Sequence, residues 1–135
     1  MPKKWLFKTD PHEYSYDDLE SEKKAVWNGV SNNLALKNLR EVRLGDQIVI
    51  YHTGNDKAII GLAEAVSDPY PDPKEKDEKL VVINIKPKRR FARPLTLAEI
   101  KATDSLKDFD LVRLQRLSVM PVSQGHWQVL QEMLK

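Results

Sequence analysis

Trp27, Asn28, Gly29, Ser31 and Asn32 place an indole, amides and a hydroxyl within one short stretch of chain. Stacking on a flat ring holds the face of a planar ligand, while amides and hydroxyls read its edge. Gly29 lets the backbone come close to such a ligand. Lys37 and Arg40 follow, and cations suit the phosphate chain to which a nucleobase is attached. The same stretch also suits a plainer purpose, with Trp27 as a core residue and an asparagine as a helix cap. Tyr51 and His52 close a β-branched run. There they line a pocket mouth, offering a ring and a switchable hydrogen bond, or else leave Tyr51 half-buried and His52 exposed. Arg116 and Ser118, two apart on a strand, share a side and suit a phosphate, a base edge or a neighbouring acid. Residues 86–93 hold Lys86, Lys88, Arg89, Arg90 and Arg93 and no acid. This run is a solvated face or a polyanion contact, with Arg89 and Arg90 the candidate phosphate ligands.

Other chemistries find little support. His12, His52 and His126 lack the spacing of a metal pair, and there are no cysteines for a thiolate site or a disulfide. No phosphate loop, nucleophile elbow or paired-carboxylate pattern occurs. Neither a metal nor a cofactor is expected. An enzyme acting on a nucleotide or small metabolite is a weaker reading, resting on His52 or Glu64 as a base.

The 135 residues, 41% hydrophobic and 31% charged, fit one soluble domain over residues 1–135. The net charge of +2 is too small to identify a polyanion partner, so local clustering must do so. No apolar run reaches membrane-span length and the N-terminus lacks an apolar signal core. A cytoplasmic, membrane-free protein is therefore expected, with its oligomeric state left open.

The elements that would position these groups follow from local pattern. Residues 5–8 read as a strand ended by Asp10-Pro11, and Ser15 caps a short helix through Leu19, followed by a charged turn over residues 20–24. Residues 25–27 read as extended. Asn32 or Asn33 opens a helix to about Val42, with Leu34, Leu36, Leu39 and Val42 as its apolar side. Residues 46–52 and 58–66 form a hairpin across Thr53-Gly54-Asn55-Asp56, and Gly61 marks a bulge or close approach. Residues 68–73, with three prolines, are expected to make no ladder bonds. Residues 80–86 are a strand, and Pro94 breaks the basic run that follows. Thr96 and Glu99 form a capping box, and another short turn of helix starts within residues 105–110. Residues 117–122 are an edge strand, and Ser123 caps a terminal helix. Strands cluster centrally without β-α-β alternation, which predicts an α+β fold: a curved, mostly antiparallel β-sheet flanked by short helices.

Several stretches in order resemble an EVE domain. They are Trp5-Leu-Phe-Lys-Thr-Asp-Pro11 with Tyr14-Ser15, Trp27-Asn-Gly-Val-Ser-Asn32, Gly45-Asp46, Tyr51-His52, residues 65–73 and Arg116-Leu-Ser-Val-Met-Pro-Val122. The resemblance implies a PUA-like pseudo-barrel and recognition of a modified nucleobase, with modified cytosine in DNA the class proposed for EVE domains. The alternative within the superfamily is PUA-type RNA binding. By similarity to the related YTH domains, Trp27 is the stacking wall, and Asn28, Lys8 and Thr9 touch the base edge. Asn32 holds the turn or reaches the base. Ser31 stands where many EVE domains carry Arg, and Asn33 where many carry an aromatic, which implies a preference for a neutral modified base or for a different base altogether.

Overall fold

The computed structural model describes residues 2–134. In chain order these form β1 (Lys4–Thr9), α1 (Tyr16–Glu22), β2 (Ala25–Trp27), α2 (Asn33–Glu41), β3 (Gln47–His52), β4 (Ala58–Ala65), β5 (Tyr70–Pro71) and β6 (Val81–Thr96). Then come α3 (Leu97–Lys101), a 3-10 turn (Asp104–Leu106), α4 (Asp110–Arg113), β7 (Val119–Val122) and α5 (Gln124–Met133). The strands lie in the order β2-β6-β4-β3-β1-β7, with β5 on β6. Among the described residues only β1 and β3 pair in parallel; the other ladders are antiparallel.

The sheet is a curled half-barrel. Its curl has a local cause. The β4–β6 register shifts twice, between Ile59 and Gly61 and between Leu62 and Ala63, and bulges bend and twist a strand. The curl carries edge β2 round towards β1, so that the Phe7 and Trp27 ring centroids stand 5.5 Å apart although their strands never pair. Helix α2 spans the same seam, touching both β6 and β7. Its buried Asn38 donates to the Val119 carbonyl at 2.8 Å.

Buried polar groups fix the ends of this frame. Asp46 is 4% exposed and accepts from the Lys3 amide, the Arg43 amide and the Trp5 indole, each at 2.9 Å. Three donors replace the water that a buried carboxylate loses. Gly61 is where a close approach is needed: a Cβ there would lie 2.4 Å from the Tyr16 ring. The Tyr16 hydroxyl donates to the Leu62 carbonyl at 2.7 Å, clamping α1 to the sheet.

Four local expectations change. α1 continues to Glu22 because the Lys23 amide still bonds Leu19, and Lys23 then ends the helix with φ 67. Residues 70–71 do join the sheet, opposite Val82 and Val81, as a two-residue edge strand held by a 2.6 Å bond from Tyr70 to Asn84. β6 runs through Pro87 and Pro94 to Thr96, because the irregular β4–β6 register leaves positions where no amide donor is required. On α2 the buried side is Ala35, Leu36, Asn38 and Leu39, while Leu34 is 44% exposed.

Candidate nucleic-acid interface

A cavity of about 500 Å³ opens at the seam between β2 and β1. Its floor is Trp27, held by Phe7 behind it and by Tyr14, whose ring meets the indole edge-on at 6.1 Å. Trp27 keeps 8% of its surface open. Val26 and Val30 supply apolar wall, and Asn28, Thr9 and Ser118 supply polar groups. Asn28 makes no side-chain hydrogen bond among the described residues and is exposed, so its amide is available. Thr9 donates its hydroxyl to the Tyr14 carbonyl at 2.7 Å, which fixes the rotamer and leaves an acceptor lone pair. Gly29 has φ +79 with open space where a Cβ would be; the turn needs a glycine for its backbone conformation.

The cavity is acidic. Asp10, Glu13 and Glu22 line it, against one lysine, Lys8. The Lys8 ammonium turns away, donating to the Gln115 carbonyl at 2.7 Å and lying 5.8 Å from the Tyr51 ring centre. Alternation along β1 explains this: Phe7 points to Trp27, so Lys8 points to the other face, where Tyr51 is its register partner. The Tyr14 hydroxyl is shielded from solvent without a hydrogen-bond partner among the described residues. Burial, and after it the Glu22 carboxylate, pushes its ionisation far up, so the phenol keeps its proton. The cavity thus offers carboxylate acceptors, with the neutral Tyr14 phenol buried beside Glu22. Among the described residues no group of three or more His, Asp or Glu side chains converges to hold a metal.

Of the residues singled out from the sequence, Trp27, Asn28, Lys8, Thr9 and Ser118 line this cavity. Ser31 is exposed and is not among its lining residues. Asn32 caps α2, accepting from the Ala35 amide at 3.0 Å, and lines a neighbouring groove with Leu34, Arg113 and Arg116. Tyr51 lines a third hollow on the far side of Lys8. His52 is buried, neither at a pocket mouth nor exposed; its Nε2 accepts from the Tyr16 amide at 3.0 Å, which leaves the ring proton on Nδ1, facing Asp56 at 3.0 Å. Glu64 pairs with Gln47 at the opposite end of the β3–β4 hairpin from His52, so the two candidate bases do not meet.

The basic candidates are dispersed. Arg90 bridges Asp17 and Glu20 and lies over the Tyr16 ring. Arg89 stacks on Phe91 at 5.3 Å, and Arg40 donates to the Lys79 carbonyl at 2.8 Å. Lys37 is exposed on α2. Sequence reasoning missed Asp10, Glu13, Tyr14, Glu22, Val26 and Val30 as lining residues. Asp10, Val26 and Val30 sit beside Thr9, Trp27 and Ser31, yet only the curl of the sheet turns the whole set to one space.

The model of the EVE domain matches residues 3–133. The chain belongs to the EVE family. This EVE domain is 31% identical to mouse thymocyte nuclear protein 1, over 89% of the chain and 68% of that protein. A Rhodopseudomonas palustris protein solved by NMR superposes with a TM-score of 0.92 at 34% identity, over 98% of this chain and 92% of that one. Human THYN1, solved in complex with 5-methylcytosine-containing DNA, superposes at 0.91 with 26% identity over 98% of each chain. The ASCH protein of Zymomonas mobilis, at 0.67 and 15% identity, covering 98% of this chain and 96% of that one, shares the PUA-like fold.

Proposed function

We propose that this EVE domain binds nucleic acid and holds one base, turned out of its stack, in the cavity over Trp27. The observation that carries the reading is the pairing of an aromatic floor with carboxylate acceptors in one cavity of about 500 Å³, within the usual range for small-ligand sites. Carboxylates accept from the exocyclic amine of cytosine, whereas they repel a carbonyl at that position. The Asn28 amide adds a donor to this edge. Val26 and Val30 give a methyl group an apolar wall, worth roughly 0.8 kcal/mol. The human relative's complex with 5-methylcytosine DNA supports the same class of ligand.

The energies decide how such a site works. Turning a base out costs a few kcal/mol. Stacking returns about 1–3 kcal/mol, and the small opening of Trp27 puts this site near the lower value. Stacking alone does not cover the cost, so the edge hydrogen bonds and phosphate contacts must supply the rest. An unpaired carboxylate in a dry pocket is costly, which makes the edge contacts the source of selectivity. In this reading the domain performs no chemical step.

The test is binding of oligonucleotides that differ only in one 5-methylcytosine, as DNA and as RNA, to the wild type and to Glu22→Gln and Trp27→Phe. Tighter binding of the methylated strand, weakened in both variants, supports the reading. Equal binding of methylated and plain strands by the wild type overturns it, and preference for plain RNA favours a PUA-type RNA-binding role.

A further inference from the structure

We infer that the hollow on the far side of Lys8, between the β3–β4 turn and α3, is a seat for one phosphodiester group of the nucleic acid whose base enters the Trp27 cavity. This rests on the proposed reading for the identity of the ligand; the preference for an anion follows from the lining itself. The hollow has a volume of about 250 Å³. Lys8, Lys57 and Lys101 line it, with the Thr53 hydroxyl, the Tyr51 ring and the Gly54 backbone, and no carboxylate. None of the three lysines forms an ion pair among the described residues. The nearest acid in sequence, Asp56, faces His52 Nδ1 at 3.0 Å.

The lysines are placed by the fold and are not adjacent in the chain. Lys8 is held by Gln115 and by its register with Tyr51. Lys57 sits in a left-handed conformation at φ 42, and its carbonyl accepts from the Leu97 amide at 2.7 Å. That bond ties the turn to α3, whose last turn carries Lys101. Three lysines with no carboxylate among the lining make this hollow electropositive, which favours an anion there. Burial already lowers the Lys8 ionisation from the usual lysine range, with no carboxylate in the hollow to counter it. Lys8 also lines the Trp27 cavity, so a base on one side and a phosphate on the other would be read a single residue apart.

The experiment has two arms. In the first, inorganic phosphate is titrated into the isotope-labelled protein; amide shifts confined to Gly54, Lys57 and Lys101 are expected. In the second, the salt dependence of single-strand oligonucleotide binding is compared for the wild type, Lys57→Gln/Lys101→Gln and the distant pair Lys74→Gln/Lys76→Gln. Each single-strand phosphate neutralised contributes about 0.7 to the slope of log K against log salt. The first pair should lower the slope by about 0.7 and the distant pair should not change it. Should Lys57→Gln fail to fold, Lys101→Gln alone is expected to lower the slope. Absence of local amide shifts, or an equal slope change in both pairs, overturns the phosphate seat. Local shifts with no preference for methylated strands leave the seat standing and remove the base-reader reading.

Discussion

Two hollows share Lys8 and differ in nearly everything else. The Trp27 cavity carries three carboxylates and two aromatic rings; the hollow beside Tyr51 carries three lysines and no acid. The first is built on buried ring packing, the second on turns and on a five-residue helix. A nucleotide has the matching asymmetry, with an amine-bearing heterocycle at one end and an anion at the other. Selectivity should therefore reside on the acidic side, and salt-dependent affinity on the basic side.

The largest effect that bears on this contrast is Trp27→Ala. It removes the aromatic floor and leaves a void against Phe7 and Tyr14, at an expected cost of about 3–5 kcal/mol in urea unfolding. Trp27→Phe should lose much less stability, which allows binding to be measured on a folded protein. If the alanine variant unfolds with wild-type midpoint, the ring is not part of the packed frame.

Next in size is Glu22→Gln. One carboxylate that accepts from a base amine is worth about 1–3 kcal/mol of discrimination. The variant should lose most of its preference between cytosine-type and carbonyl-bearing bases, with an almost unchanged salt slope. The Tyr14 phenol should also ionise at lower pH, since the Glu22 charge holds it up together with burial; an ultraviolet pH titration reads this directly. Loss of salt dependence without loss of discrimination would invert the contrast.

Lys8→Met should do the reverse. It removes the shared cation but preserves a flexible apolar stem, so oligonucleotide affinity should fall several-fold and the salt slope by about 0.7 at most. Folding stability should move little, because no carboxylate is left unpaired. Discrimination between methylated and plain strands, measured as a ratio of dissociation constants, should survive.

The smallest effect concerns the helix that carries Lys101. Glu99, bonded first by Arg93 and then by Thr96, has its ionisation lowered from 4.5 to about 2. A lowered folded value means its contribution is complete above about 4.5 and is lost as pH falls towards about 2. Glu99→Gln should flatten the acid limb of a stability profile in that window.

Much of this was legible in the residues. Ser15, Asn32, Thr96 and Ser123 cap the helices that local chemistry assigns to them, because a cap is decided within four residues. The same holds for the hairpin about Gly54 and for the close approach at Gly61. The differences have more than one physical source. Residues 68–73 are expected to make no ladder bonds and the sixth strand to end at Lys86, yet a bulged or edge register excuses the donor a proline lacks, and register is a property of two strands. Leu34 looked like core because periodicity does not say where the stripe is centred.

The sequence by itself determined the helix caps, the turns, the order of the strands' apolar runs and the Trp27 turn, since each depends on neighbours along the chain. It could not determine that Glu22 and Tyr14 face Trp27, that His52 is spent on the Tyr16 amide, or that Lys8, Lys57 and Lys101 surround one hollow. Those juxtapositions depend on how far the sheet curls and in which register β4 meets β6, and both are settled by packing between segments distant in the chain.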